Sequence, residues 1–271
     1  PDSLYFADER VPMEYFDVRE SLDQELLVNT YWQSHSLLYI KRAHRYFPQI
    51  EKILHEQGIP EDFKYIPLIE SDMTNAVSPS GATGFWQIMK GTARDHGLEV
   101  NSEVDERYNL EKATRAACEY FKKAHEKFGS WTMAAASYNV GRRAMREALS
   151  TQNANSYYDL LSNTETGRYV YRILAVKMIL EDREKYGFQV DQEDLYQPIE
   201  TKQVKLDTAV KDFTDYADNF GLSYKMFKFF NPWLRKPYLH NRNSKTYMIT
   251  LPKEESYRIH ESYNRERAEK N

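Results

Sequence analysis

Along roughly the first 190 residues, apolar side chains recur at steps of three and four, the spacing that gathers them on one face of a helix. From Ser21 onward, Leu22, Leu26, Tyr31 and Leu38 share a broad face with Leu27, Ile40 and Ala43, and Ser21 with Asp23 and Glu25 marks the start. Pro48 is expected to open a second helix carrying Ile50, Ile53 and Leu54, with Gly58 just beyond its end. Pro60-Glu61-Asp62 starts a third, and Pro67 interrupts it, so Glu70 falls just past a kink or in the last turn. Gly84 opens a helix over residues 85–94 that stops near Gly97. Asn109 caps a helix burying Ala113, Ala116, Ala117, Tyr120, Phe121 and Ala124 and ending at Gly129. Ser130 caps the next, Trp131 to Val140, which Gly141 stops. Residues 151–164 read as a loop with a short helical piece, and 165–180 as a strongly amphipathic helix.

The period then changes. Val204 to Leu206 and Tyr247 to Leu251 alternate as strands do, with two helical stretches between them near 207–219 and 223–229. The fold class this implies is mainly α: one large helical domain followed by a small α+β module of βααβ order. Boundaries are placed at an N-terminal arm over 1–20, a helical domain over 21–190, a module over 198–255 and a charged tail over 256–271. Only 10 Gly and 10 Pro punctuate the 271 residues, which argues against a many-turned all-β fold.

Charge and composition narrow the partners. A net charge of −4 with both signs interspersed gives no footprint for a polyanion, so nucleic acid is excluded as a partner. The 21 Tyr supply amphipathic rings of the kind that stack on sugar C–H faces, although tyrosines also fill cores between helices. The single cysteine, Cys118, lies in an apolar helical pattern and reads as a buried thiol. No stretch approaches the length of a membrane span. The chain opens at Pro1, and a signal or lipid anchor that preceded it would attach it to a membrane.

Candidate chemistry centres on Tyr65-Ile-Pro-Leu-Ile-Glu70-Ser71-Asp72. A carboxyl at the end of an apolar segment is desolvated, which raises its pKa and lets it carry a proton near neutrality. Taken alone, Glu70 reads as a solvated glutamate at a helix end, since glutamates are mostly exposed.

Four segments in order change that balance: Glu70-Ser71, Gly81-Ala-Thr-Gly84-Phe-Trp-Gln87-Ile-Met89, Ala136-Ser-Tyr138-Asn139-Val-Gly141, and Glu165-Thr-Gly-Arg-Tyr169-Val. Together they resemble the ordered motifs of the family 1 soluble-type (SLT) lytic transglycosylases, with the membrane-bound lytic murein transglycosylase D subgroup the nearest. The resemblance runs from about Tyr39 to Leu180 and includes Arg45-Tyr-Phe-Pro48 and Val104-Asp-Glu-Arg107. Residues Tyr196 to Pro252, with Asn231-Pro232 and Thr250-Leu-Pro252, resemble a divergent LysM-type glycan-binding module.

The resemblance implies a lysozyme-like helical fold and a peptidoglycan lytic transglycosylase acting on murein glycan strands. Glu70 is then the single catalytic acid/base, cleaving the β-1,4 bond between N-acetylmuramic acid and N-acetylglucosamine to leave 1,6-anhydro ends. It implies no metal and no cofactor, and a place in the bacterial cell envelope, in the periplasm or attached to the outer membrane. By the same carry-over, Ser71 orients the Glu70 carboxyl, and Gln87 and Met89 line the groove beside acetamido groups. Tyr138 and Asn139 face the reacting sugar, with the Tyr138 hydroxyl on Glu70 or on the transition state, and Tyr169 approaches the carboxyl from the other side. Three positions depart from the subgroup: Lys90 and Tyr171 where proline is frequent, and Ser137 where alanine is usual. Two other readings stay open. A water-using muramidase of the goose-type lysozyme kind needs a second acid across the groove, and a cell-wall scaffold would bind glycan without cleaving it.

Overall fold

The chain begins with a hairpin where the sequence reads as an extended arm. In this computed structural model, which describes residues 3–253 and 256–257, β1 (Tyr5–Phe6) pairs antiparallel with β2 (Glu9–Arg10). Ala7 and Asp8 turn the corner at φ 51° and 63°, the geometry that matches the twist of a two-residue hairpin. Phe6 is fully buried and Asp62 Oδ2 accepts from the Ala7 N–H at 2.7 Å, so the hairpin is pinned to the helical core.

Two compact units follow from the packing. The first comprises Pro1–Val100 and Glu106–Tyr196, the second Asn101–Asp105 and Gln197–Asn271. In the first unit α1 (Phe16–Tyr31) starts five residues earlier than the sequence suggested, and Trp32 separates it from α2 (Gln33–Glu56). Pro48 does not open a helix; it lies inside α2. An interior proline removes one ladder bond and costs about 3 kcal/mol. Here Ile50, Ile53 and Leu54 on one side and Tyr39, Ile40 and Ala43 on the other are all buried, and that packing carries the helix through.

Next come α3 (Ile66–Ser71), α4 (Lys90–Asp95), α5 (Leu110–Phe128), α6 (Trp131–Val140), α7 (Arg142–Gln152) and α8 (Thr164–Glu181). The caps of α5 and α6 fall as the sequence indicated: Asn109 accepts from Lys112 N and Ser130 from Met133 N. Helix α7 was not anticipated; its mostly polar face buries only Met145. Residues Tyr157–Asp159 form the short helical piece expected before α8. At the start of α6 the Glu9 carboxylate accepts from Trp131 N, Thr132 N and Ser130 Oγ at 2.5–2.9 Å, tying the hairpin to that helix. Cys118 is buried in α5, and burial pushes its thiol up to about 12.

The second unit has the βααβ order. β3 (Thr201–Leu206) and β4 (Tyr247–Pro252) pair antiparallel, from Thr201 opposite Pro252 to Leu206 opposite Tyr247. Between them lie α9 (Phe213–Asp218) and α10 (Tyr224–Phe230). Phe213 and Phe227 are fully buried and stack at 5.1 Å. The buried Asn231 amide donates to Phe227 O and Thr250 O and accepts from Thr250 N, which locks β4 onto the end of α10. Residues 101–105 belong to this unit as well, with Val104 bridging Leu234 and Asp105 N donating to Trp233 O at 2.8 Å. Of the charged tail over 256–271, only Ser256 and Tyr257 are among the described residues, and the rest of that expectation lies outside them.

Candidate active site

Helix α3 is short because both its ends are fixed. Pro67 sits in its first turn, where the missing N–H had no partner to lose, so it starts the helix and does not kink it. Asp72 closes it in the left-handed conformation at φ 55°, its N–H reaching back to Leu68 O. Ile66, Pro67, Leu68 and Ile69 are all buried, and Glu70 emerges half-buried in the last turn.

Desolvation dominates the Glu70 carboxyl and pushes its pKa up to about 6. Two groups oppose the shift by favouring the carboxylate: the Tyr169 hydroxyl, which donates to Oε1 at 2.6 Å, and the charge of Arg172. Glu165 adds a smaller push upward. Tyr169 is buried, and its own ionisation is driven far above the ordinary range by burial and by the Glu70 charge. It therefore stays a phenol that donates.

The segment following α3 closes on itself, with backbone bridges from Thr83 to both Val77 and Ile88. The helix expected over 85–94 forms only as α4, because Gln87 adopts φ 47° and turns the chain at that point. Gly84 is required twice over. Its φ is 78°, and a Cβ there would lie 2.2 Å from the Arg107 carbonyl oxygen. Arg107 in turn donates to Gly81 O and Ile88 O, and Trp86, fully buried, donates from its indole to Thr114 Oγ1 at 2.8 Å.

These contacts revise several of the expected roles. The Ser71 hydroxyl does not orient Glu70; it is buried and donates to Phe85 O at 2.8 Å, with Pro67 O at 3.2 Å, so it fastens the loop to the end of α3. Tyr138 donates to Trp86 O at 2.6 Å and not to Glu70. It still feels that carboxylate, because burial and then the Glu70 charge hold its hydroxyl un-ionised. Gln87 donates to Gly84 O at 2.8 Å and Ala76 O at 3.1 Å, so its side chain shapes the loop. Met89 is 45% exposed at the start of α4. Asn139 donates to Glu165 Oε1 at 3.0 Å and accepts from Thr166 Oγ1 at 3.1 Å. Only Tyr169 contacts Glu70 as the resemblance implied.

Comparison with known proteins bears on the same residues. Positions 48–161 match the family described as Transglycosylase SLT domain, and 202–255 the Soluble lytic transglycosylase C-terminal LysM-like domain. The chain carries an SLT domain followed by a LysM-like domain. It is homologous to the membrane-bound lytic murein transglycosylase D of Escherichia coli strain K12, 27% identical over 227 residues, and equally to that of strain O6:H1. Those residues are 82% of this chain but 49% of either relative, so the chain spans about half the length of the curated relatives it matches. A putative tributyltin chloride resistance protein of Alteromonas sp. is 29% identical over 133 residues, 48% of this chain and 64% of that one. Among solved structures, an inactive mutant of the lytic transglycosylase Slt from Pseudomonas aeruginosa superposes with a TM-score of 0.42 at 24% identity, over 55% of this chain and 26% of that one.

Three residues of the first unit matter that sequence reasoning gave no role. Glu165 is a second carboxylate within electrostatic reach of Glu70, so that carboxyl does not stand alone. It lay in plain view inside the fourth motif. Arg172, one helical turn beyond Arg168, donates to Ile69 O at 2.8 Å and supplies the cation beside Glu70. Arg107, in the Val104-Asp-Glu-Arg107 segment, holds the loop by its two carbonyl contacts. No periodicity marks either arginine, because each acts on backbone carbonyls that only the folded chain brings near.

Proposed function

We propose that the chain is a peptidoglycan lytic transglycosylase whose single acid/base is Glu70. The observation that carries this reading is a half-buried carboxyl raised to about 6, aimed from the end of α3 and bonded to Tyr169, within an SLT domain. At neutral pH about one such carboxyl in ten holds its proton, and it becomes the major form as the pH falls through 6.

The glycan strand passes Glu70, which protonates the oxygen of the β-1,4 bond between N-acetylmuramic acid and N-acetylglucosamine as the C1–O bond breaks. The carboxylate left behind then removes the proton from the C6 hydroxyl of the same muramic residue. That oxygen attacks C1 and closes the 1,6-anhydro ring. The proton gained equals the proton given, and no water is consumed. Tyr169 keeps the carboxyl on target through both transfers, and its hydrogen bond stabilises the anionic half of the cycle.

Substrate-contact roles are divided differently from the simple carry-over. Met89 offers an exposed side chain to the sugars, and Asn139, anchored by Glu165 and Thr166, faces the same groove. Tyr138, Ser71 and Gln87 act by holding the buried backbone of residues 84–86, which sets the position of the exposed Met89. The LysM-like module supplies further glycan affinity. The likeness to murein transglycosylases supports a site of action in the bacterial cell envelope.

Glu165 keeps a second reading in play, a muramidase that uses a carboxylate pair and water. The products separate the two. Mass spectrometry of digested murein is expected to show 1,6-anhydro muropeptides with the wild-type chain and none with Glu70→Gln. Reducing-end products, heavier by one water, would instead assign the hydrolase.

A further inference from the structure

Residues 101–105 are counted with the second unit, while Val100 before them and Glu106 after them belong to the first. This short excursion is tied across like a hairpin. Glu106 N donates to Glu99 O at 2.9 Å, and Glu99 N donates to Glu106 Oε2 at 2.8 Å. Asn101 N donates to Val104 O at 2.7 Å, and the Asn101 side-chain oxygen accepts from Glu103 N and Val104 N at 2.8 Å. The tip is fastened to the rest of the second unit. Glu103 O accepts from Arg235 N, Asp105 N donates to Trp233 O, and the Glu103 carboxylate accepts from His240 N at 2.9 Å. At the base, buried Glu106 pairs with Lys112 of α5, and Arg107 follows at once. Arg107 grips the loop after α3 twice. Its guanidinium donates to Gly81 O and Ile88 O at 2.9 and 3.1 Å, and its own carbonyl lies against Gly84.

We infer, on the lytic transglycosylase reading above, that Glu103 and Arg107 are positioning residues for glycan binding. The hold of the LysM-like unit on Glu103 sets, through the 101–107 segment, where the loop presents Met89. Three features carry this role. The excursion moves as a body, because bending it would strand backbone groups that now pair with one another. Arg107 is two residues from Asp105, no more than about 7 Å of chain, so a displaced tip reaches the guanidinium. Glu106, fixed by Glu99 and Lys112, is the point about which it turns. The effect falls on sugar affinity and not on the proton. Tyr169, Arg172 and Glu165, which set the Glu70 pKa, all lie on α8 and none on the loop.

The test uses the full chain and an alternating GlcNAc–MurNAc tetrasaccharide, short enough to give a separate glycan-binding unit little to hold. Glu103→Ala is expected to raise KM about fivefold, with kcat within about twofold of wild type and the alkaline limb of kcat/KM unmoved. Glu103→Gln, whose side-chain oxygen still accepts from His240 N, restores most of the affinity. Arg107→Met raises KM by at least as much, and adding Glu103→Ala to it brings no further rise, since both act on one path. Thermal melts of each variant separate a lost position from a lost fold, and Arg107→Lys carries the comparison if Arg107→Met does not fold. An unchanged KM in Glu103→Ala would overturn the role. So would a loss seen on whole murein but not on the tetrasaccharide, additive effects in the double variant, or a displaced alkaline limb. The identity of the wild-type products, anhydro or reducing, tests the reaction separately, because KM is read in the same way for either.

Discussion

Glu70 is held in a setting that opposes its own charge, and this gives stability and activity opposite responses to pH. The folded-state pKa of about 6 lies above the ordinary value of 4.5. The native state therefore binds the proton more tightly than the unfolded chain. Its stability is complete below pH 4.5 and falls by about 2 kcal/mol as the pH rises through 6. Glu70→Gln removes that loss together with the chemistry. The variant is expected to lose lytic activity by about a thousandfold or more, yet to melt several degrees higher than wild type at pH 8 and level with it at pH 4, as calorimetry would show. The neighbours fix the sign of a second test. Tyr169 and Arg172 lower the carboxyl's pKa and Glu165 raises it. The alkaline limb of kcat/KM, which reports the acid form of the free enzyme, should therefore move to higher pH in Tyr169→Phe and to lower pH in Glu165→Gln. Limbs that move together would remove this electrostatic account. At this scale the sequence singled out the carboxyl that the fold desolvates, because the apolar run before Glu70 and the ordered motifs both pointed to it. It did not show that the Ser71 and Tyr138 hydroxyls donate to the Phe85 and Trp86 carbonyls. Those partners lie 14 and 52 residues away and leave no trace in local pattern.

At the scale of elements, local chemistry was legible wherever a helix end is satisfied by its own neighbours. Asn109, Ser130 and Gly129 cap as their residue types require. It failed wherever a distant segment decides. Pro48 is carried inside α2 by packing, and the Glu9 carboxylate starts α6 from more than a hundred residues away. Burial works against the Glu9 charge, but the hydrogen bonds at α6 outweigh it and leave the carboxyl below its usual range. Its contribution is thus present above pH 4.5 and fades as the pH falls through the lowered value. Glu9→Ala is expected to cost about 1–2 kcal/mol at pH 7 and little near pH 3, measured by urea unfolding. The loop that follows α3 depends on Gly84 in the same way. Gly84→Ala meets both a left-handed φ and the Arg107 carbonyl, and is expected to cost about 2 kcal/mol or more. Most of the activity should go with it, because Trp86 and Gln87 move.

For the molecule as a whole, the division into units does not follow the order of the chain. The hydrophobic periods change near residue 190, and a boundary drawn there looks natural. Yet residues 101–105 leave the first unit's sequence to join the second. The reason is a set of contacts that no single window shows. Val104 bridges Leu234, the Arg235 N–H reaches Glu103 O at 2.7 Å, and the Asp105 N–H reaches Trp233 O. The Glu103 carboxylate accepts from His240 N at 2.9 Å and lies 2.6 Å from His240 Nδ1. Leu234 and Trp233 are buried in consequence. A fragment of residues 197–257 alone would expose both and lose three backbone pairings, in a unit too small to spare them. That fragment is expected to unfold at markedly lower urea than the same unit within the intact chain. The complementary fragment, ending at residue 196, should keep its helical core, since the buried cluster around Phe63, Trp86 and Phe121 lies wholly within it. Its residues 101–105, without their contacts to Trp233, Leu234 and Arg235, should exchange their amide hydrogens faster and become the first site of proteolytic cleavage. Slow exchange at Asp105 in that shorter protein would show that the segment is held by the first unit after all.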